Sequence, residues 1–288
     1  MPSRPRAKRK GRLFFLDPPL LFLFRIPPFR GIELTAQHSS YDAFALHYES
    51  LFPDYVAQME TWRGLLRSLF KVKGKRLHLL DICCGMGLQS ICLAQEGHEV
   101  LGLDFSAGML KEARSRAAAL GLPTTFRQAD CRQLSTALAG QNDFDGFVCG
   151  GSSILHFNAR ELEGVFRDLS ASLKVGALGV IDMVDWSLIP DHETWTPRAH
   201  HRTEKGESLA LEFYRRFPNR VLTSVVLLHR RFGQDWNVVT GEFCYYRHSL
   251  PELQASMERV GLQVFQQHES KKGIDCPQRV IIVEKKAK

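Results

Sequence analysis

The sequence predicts an α/β protein built on a doubly wound, mostly parallel sheet of seven strands. Three observations lead to this fold class: the apolar runs are short, helical patterns separate them, and a glycine turn follows the first run. Five strands are predicted at residues 77–82, 98–103, 124–127, 144–149 and 177–183. Two further runs, 264–267 and 280–284, would complete the sheet.

The segments around this sheet predict a helical lid before it and a small antiparallel insertion within it. From Tyr41 onward, aromatic and apolar residues recur at helical spacing, and Pro53 divides two helices. Beyond residue 185 the strand–helix alternation stops, and β-favouring runs predict two or three antiparallel strands. The predicted organisation is an extension at 1–34, a helical lid at 35–76, an α/β core at 77–185, an antiparallel insertion at 186–246 and a C-terminal helix with strands at 247–288.

The formal charge of +7 on these 288 residues lies entirely in the first 31. That segment has eight basic residues and one acid, Asp17, so the remaining 30 basic and 30 acidic residues cancel. A nucleic-acid enzyme usually spreads positive charge over its working face, so nucleic acid is not an expected partner of the folded part. No apolar stretch is long and clean enough to predict a membrane span.

Residues 1–31 begin basic and then turn apolar, as a signal peptide or a membrane-surface anchor also does. Proline pairs at 18–19 and 27–28 would break a continuous helix there. We expect a disordered extension, with a targeting or membrane-contact segment as the alternative.

The seven cysteines are scattered, odd in number and never spaced as Cys-x-x-Cys. This pattern predicts free thiols in a reducing compartment, which indicates a cytoplasmic protein. A structural zinc site is not expected, and no other metal site is predicted.

The most informative stretch is the turn that follows the first predicted strand. Asp81 ends the strand, Gly85 and Gly87 form the turn, and Asp104 ends the next strand 19 residues after Gly85. Glycines at such a turn let a ligand approach the backbone, and an acid at this distance suits a ribose diol. Ser90 stands where a dinucleotide fingerprint has its third glycine, and Asp81 would repel a pyrophosphate. The electrostatics therefore favour a positively charged nucleoside donor over a dinucleotide.

This motif resembles the D-x-x-C-G-x-G loop of class I S-adenosylmethionine-dependent methyltransferases, and the resemblance extends over residues 41–285. It implies a Rossmann-like methyltransferase fold with S-adenosylmethionine as the cofactor. By this resemblance Asp81 and the two glycines hold the methionine part, Asp104 holds the ribose hydroxyls, and Asp130 lies near the adenine amine. The implied cofactor-binding residues are Asp81, Cys83, Gly85, Gly87, Asp104, Phe105, Met109, Asp130, Cys131, Cys149, Tyr41, Tyr48 and Arg63.

Within that superfamily the chain is most similar to glycine/sarcosine N-methyltransferases and their small-molecule relatives. Four pieces match in order: the N-terminal Tyr-rich helices, FDGFVCGGSSILHF, VGALGVIDMVDW and YYRHSLPELQASMERVGLQV. The similarity suggests Ser152, Tyr245 and Tyr246 as substrate-binding residues. One departure matters: the family has a substrate-binding arginine two places after the acid that ends strand five, and Val184 stands there after Asp182.

Valine cannot replace a bidentate carboxylate clamp, so glycine itself is a doubtful acceptor unless another arginine substitutes. The candidates for that substitution are Arg198, Arg202 and Arg247. His156 is the candidate base, and a helix-capping or core histidine is the alternative interpretation of that residue.

The sequence therefore predicts an enzyme that transfers a methyl group by in-line displacement to a nitrogen or oxygen of a small molecule. Two alternatives remain open. The first is an RNA or protein methyltransferase recruited through the basic N-terminal arm. The second is a non-catalytic binding module on the same scaffold.

Overall fold

A computed structural model describes residues 40–71, 75–189, 195–270 and 278–287. The predicted extension at 1–34 and Cys276 lie outside the described residues. No helix in the described part is long and apolar enough to cross a membrane.

Eleven strands are arranged in two sheets across the described residues. The strands are β1 (His78–Ile82), β2 (Glu99–Asp104), β3 (Thr125–Gln128), β4 (Phe144–Cys149), β5 (Leu173–Val184), β6 (Trp195–Arg202), β7 (Gly206–Arg216), β8 (Arg220–Arg231), β9 (Asn237–Tyr246), β10 (Leu262–Ser270) and β11 (Gln278–Lys285). The helices are α1 (Tyr55–Phe70), α2 (Leu88–Gln95), α3 (Ala107–Ala119), α4 (Leu134–Leu138), α5 (Ala159–Ser172) and α6 (Leu250–Arg259).

The larger sheet confirms the predicted fold class. Its seven strands run in the order β10-β11-β5-β4-β1-β2-β3, with β1 to β5 parallel and β10 and β11 antiparallel. The chain moves from β1 outward to β3 and then returns to β4 on the other side of β1. This reversal between β1 and β4 is the point where doubly wound sheets bind ligands, outside the carboxyl ends of their strands.

Both faces of this sheet are covered, because its strand residues alternate between two apolar layers. Leu80 and Ile82 point into a cluster that contains Phe166 of α5. Leu79 points into the opposite cluster, which contains Leu66 and Phe70 of α1. The second predicted lid helix, α1, is therefore part of the layered core.

Local capping fixes where the helices begin. The Asp54 side chain accepts a hydrogen bond from the Ala57 backbone and starts α1 directly after Pro53, as the predicted break between two helices requires. Asn158 and Glu161 form a reciprocal capping box at the start of α5. Ahead of α1, residues 40–44 are helical and Ala45–Leu51 form a 3-10 helix.

The insertion contains four antiparallel strands in the order β6-β7-β8-β9, one or two more than predicted. Strand β6 was missed because Pro197 and two histidines weaken its β pattern. The sheet tolerates Pro197 because β6 is an edge strand and its register shifts between Pro197 and Ala199.

Two glycine substitutions test the packing of this fold with opposite expected signs. A Cβ at Gly179 of β5 would lie 1.9 Å from Cε1 of the fully buried Phe147, whereas a Cβ at Gly64 of α1 would meet nothing within 4 Å. We expect Gly179→Ala to lower the free energy of unfolding by about 1–3 kcal/mol or more. Gly64→Ala should raise it by about 0.5–1 kcal/mol. Thermal unfolding checks both, and a Gly179→Ala midpoint equal to wild type would contradict the packing described.

Candidate functional site

A large cavity opens at the carboxyl ends of β1, β2, β4 and β5. Residues 41–62 and one face of the four-stranded sheet also line it. We call the part around Gly85, Asp104 and Met109 the loop end. The part around Trp186, Arg198, Tyr214, Thr223 and Tyr245 is the insertion end.

The loop end is built by one carboxylate that joins two turns. Asp104 accepts a hydrogen bond from the Gly85 backbone N–H at 2.8 Å through Oδ2 and from the Ser106 N–H at 2.9 Å through Oδ1. Gly85 has φ +54°, and no atom lies within 4 Å of the position its Cβ would take. The glycine thus presents bare backbone next to an acid that lines the cavity.

The second glycine of the loop has a different role from the one predicted. Gly87 is not among the described lining residues, and a Cβ there would lie 2.8 Å from Phe126 and 3.2 Å from Ala113. With φ +75° it starts α2 in the left-handed region. Gly87 therefore allows close packing beneath the loop, whereas Gly85 faces the cavity.

Asp81 lies buried beneath the loop rather than on the described cavity wall. Its Oδ2 accepts a hydrogen bond from the Ser90 hydroxyl at 2.6 Å, and its Oδ1 has no hydrogen-bond partner. Burial raises the pKa of Asp81 to about 7, and burial likewise raises the pKa of Asp104 to about 6. These under-solvated acids, together with the bare Gly85 backbone, fit a ligand that carries hydroxyls and positive charge.

Several other predicted cofactor residues also line the loop end: Cys83, Phe105, Met109, Asp130 and Cys131. The Asp130 carboxylate is engaged by an ion pair with Arg132 at 2.8 Å. Cys149 is not among the described lining residues, because its side chain points into the apolar cluster that contains α5. The glycines that follow it, Gly150 and Gly151, reach the cavity instead.

The predicted lid residues are divided by the structure. Tyr41 and Tyr48 line the cavity, whereas Arg63 does not reach its described wall. The Arg63 guanidinium instead donates to Glu60 at 3.0 Å and to Gln95 of α2 at 2.7 Å. The helix that carries Arg63 packs on the sheet, so its polar face meets α2.

His156 lies between residues 40–51, which we call the lid segment, and the insertion. Its Nδ1 lies 2.9 Å from the Cys244 carbonyl oxygen, which can only accept, so Nδ1 carries the proton. Burial lowers the His156 pKa to about 4, which leaves the ring neutral, and Nε2 accepts from the Tyr41 hydroxyl at 2.7 Å. His156 is thus a half-buried residue on the cavity wall that orients Tyr41.

The predicted substrate residues are also divided. Ser152 lines the cavity, and its backbone N–H donates to Asp182 at 3.1 Å. Tyr245 lines the cavity but Tyr246 does not, because adjacent residues of β9 point to opposite faces of the sheet. Tyr246 lies near His248, with ring centroids 6.4 Å apart.

Sequence reasoning missed most of the insertion end. Trp186, Glu212, Tyr214 and Thr223 line the cavity, and three of them come from strands β7 and β8. Their alternation along those strands was visible in the sequence. The sequence did not show which face of the insertion would turn toward the cavity.

Of the three arginines suggested as carboxylate clamps, Arg198 is the one on the described cavity wall. Its Nε donates to the Leu51 carbonyl at 2.8 Å, and its Nη1 pairs with Glu212. The Arg202 guanidinium stacks on Phe232, 5.4 Å from the ring centroid. Val184 lines the cavity at the family's arginine position.

Comparisons with known proteins give a consistent assignment. A family model described as a methyltransferase domain matches residues 79–176. The solved structure of an S-adenosylmethionine-dependent methyltransferase from Clostridium acetobutylicum superposes with a TM-score of 0.69, at 17% identity, over 86% of this chain and 99% of that chain. Residues 79–176 are a methyltransferase domain, and the described residues share the fold of that S-adenosylmethionine-dependent methyltransferase structure. The predicted family and cofactor, S-adenosylmethionine, are confirmed at the level of this domain.

Relatives of the methyltransferase domain act on different kinds of acceptor. The glycine/sarcosine N-methyltransferase of Parasynechococcus marenigrum is 32% identical over 130 residues, 45% of this chain and 45% of that protein. The ubiquinone biosynthesis O-methyltransferase of Bordetella avium is 36% identical over 72 residues, 25% of this chain and 29% of that protein. The chain spans about half or less of the length of the curated relatives it matches.

The raised pKa of Asp81 makes a prediction about stability in the absence of ligand. Because the folded state holds the Asp81 proton up to about pH 7, whereas an exposed carboxyl loses it near pH 4, ionisation of Asp81 destabilises the fold as the pH rises between these values. We expect the stability of Asp81→Asn relative to wild type to increase from pH 5 to pH 8. Urea unfolding at each pH measures it, and a constant difference would contradict the assignment.

Proposed function

We propose that this protein transfers the methyl group of S-adenosylmethionine by in-line displacement to a nitrogen or oxygen atom of a small molecule. The observation that carries the proposal is the continuity of the loop end and the insertion end within one cavity. A donor held at the first end therefore faces an acceptor held at the second. The lid segment and the insertion cover that space and exclude water.

The cofactor is proposed to lie along the loop end. Asp104 would accept hydrogen bonds from the ribose hydroxyls, since a carboxylate has more accepting sites than the backbone N–H groups of Gly85, Phe105 and Ser106 occupy. The methionine part would pass the bare face of Gly85 above the buried Asp81. Phe105 and Met109 would contact the adenine, and Tyr41 and Tyr48 would close over the donor.

The bound cofactor supplies a sulfonium, which is already a good leaving group. The protein's contribution is then mainly alignment and desolvation, and alignment alone can supply about 7–11 kcal/mol. His156 is in its neutral form throughout the neutral pH range, but a pKa of about 4 makes it a weak base. We propose that it acts mainly by holding the Tyr41 hydroxyl between the donor and the acceptor.

The role proposed for Asp104 predicts a loss of affinity on substitution. Two charge-assisted hydrogen bonds at about 1.5–3 kcal/mol each imply at least about a hundredfold weaker binding of S-adenosylhomocysteine to Asp104→Ala. Asp143→Ala is the matched control, because the Asp143 side chain is 62% exposed beside His78, away from the cavity. Isothermal calorimetry measures both, and an unchanged affinity for a folded Asp104→Ala protein would sink the proposal.

A salt titration separates small-molecule transfer from transfer to a polymer held by the basic N-terminal segment. An acceptor that binds inside the cavity should be methylated at a rate that changes by less than about twofold between 50 and 200 mM salt. Binding of RNA through six or more phosphate contacts would weaken by roughly a thousandfold over that range. Formation of S-adenosylhomocysteine with RNA and with small amines and phenols is the measurement. Salt-sensitive transfer to RNA alone would favour the polymer alternative.

A further inference from the structure

Three aromatic rings form a corner at the insertion end. Trp186 lies edge-on to Tyr214, with ring centroids 5.7 Å apart, and tilted against Tyr245 at 6.0 Å. Thr223 lies directly opposite Tyr214 across the β7–β8 ladder, so both side chains occupy the same face of the sheet. All four residues line the cavity.

Two polar atoms in this corner have no hydrogen-bond partner. They are Nε1 of Trp186, whose residue is 6% exposed, and Oγ1 of Thr223, whose residue is fully buried. An indole N–H is a donor only, and a hydroxyl both donates and accepts. Since buried polar groups are nearly always hydrogen-bonded, two unpaired groups on residues of one cavity wall point to a missing partner, either a water molecule or a ligand atom. The Trp186 donor requires an accepting atom such as an oxygen.

The charged residues that line the same wall do not favour an anion. Arg216, whose guanidinium lies 5.6 Å from the ring centroids of Trp186 and Tyr214, is not among the described lining residues. Arg198 and Glu212 are the charged residues that the described four-stranded sheet contributes to the cavity, and they pair with each other. Glu212 also accepts a hydrogen bond from Tyr214 at 2.8 Å. Because Nε and Nη1 of Arg198 already donate hydrogen bonds, each edge of the guanidinium that could bind a carboxylate with two parallel hydrogen bonds has one nitrogen engaged. Glu212 and the apolar Val184 further disfavour a carboxylate there.

We infer that the insertion end binds an uncharged acceptor whose oxygen accepts a hydrogen bond from Trp186 Nε1 and pairs with the Thr223 hydroxyl, in preference to a free carboxylate. A carbonyl, amide or hydroxyl oxygen on a compact or ring-shaped molecule has this chemistry, and the aromatic corner supplies its packing surface. This inference rests on the proposed methyl transfer and specifies the class of its substrate.

Matched acceptor pairs test the preference directly. Full-length protein with S-adenosylmethionine is given glycine and glycinamide, anthranilate and anthranilamide, and 3,4-dihydroxybenzoate and 3,4-dihydroxybenzamide. Within each pair the methylated atom is the same and the carboxylate is replaced by a neutral amide. We expect at least one amide to be methylated, with kcat/KM at least about tenfold above that of its acid, a difference of about 1.4 kcal/mol.

Two variants assign the preference to the corner. Thr223→Val keeps the shape and removes the unpaired hydroxyl, so it should raise the unfolding midpoint by about 1–4 °C. The same variant should lower kcat/KM for the methylated amide at least about tenfold. Ser224→Ala is the matched control, because Ser224 also has a buried unpaired hydroxyl but is not among the described lining residues. It should raise the midpoint and leave amide turnover unchanged.

The outcomes separate this inference from the proposed function. S-adenosylhomocysteine binding to both variants should stay within about twofold of wild type. Acids preferred over amides, no amide methylated by a protein that binds S-adenosylhomocysteine, or equal amide turnover by Thr223→Val and wild type would each overturn the inference alone. A wild-type protein that does not bind S-adenosylhomocysteine would overturn the proposed function as well.

Discussion

The carboxylate of Asp104 joins the two turns from which the candidate site is made. One oxygen fixes the glycine loop after β1 and the other fixes the start of α3 after β2, so the carboxyl ends of neighbouring strands are held at a defined separation. The same carboxylate lines the cavity, and burial raises the pKa of the group to about 6. One side chain thereby holds the two turns together and lines the cavity.

The same turn anchors the segment that covers the cavity. Asp42 accepts hydrogen bonds from the Ser106 hydroxyl at 2.5 Å and the Gly108 backbone at 2.8 Å, while the Ser40 hydroxyl accepts from the Glu242 backbone in β9 at 3.0 Å. Farther along, the Leu51 carbonyl accepts from Arg198. The segment is thus bonded to the parallel core and to the insertion. This short stretch ahead of α1 therefore helps to hold the insertion above the core, together with the direct packing of Tyr214 and Val221 on the core cluster.

The two ends of the cavity differ in how their polar groups are satisfied. At the loop end, backbone amides bond to acids, and the buried Oδ1 of Asp81 is left without a partner. At the insertion end, the charged lining residues Arg198 and Glu212 pair with each other, and the guanidinium of Arg216 stacks over the Trp186 and Tyr214 rings. The unpaired atoms of Trp186 and Thr223 are neutral. A charged donor and an uncharged acceptor are the pairing that this division favours. Val184 lines the cavity at the position where the resemblance implied a carboxylate-binding arginine, and valine cannot make such a clamp.

The sequence alone determined the strand–loop–helix unit at residues 77–104, because its signals are local: an apolar run, an acid, glycines and a helical pattern within a few turns of chain. It also predicted the seven strands of the larger sheet, whereas their order in the sheet came from the structure. Only the tertiary structure decided which side chains reach the cavity. Four predicted site residues face packed layers or another surface, although each adjoins a lining residue in sequence or belongs to a predicted motif. They are Gly87, Cys149, Arg63 and Tyr246. Which face of a strand or helix is turned inward depends on the element packed against it, and that information is not local to the residue.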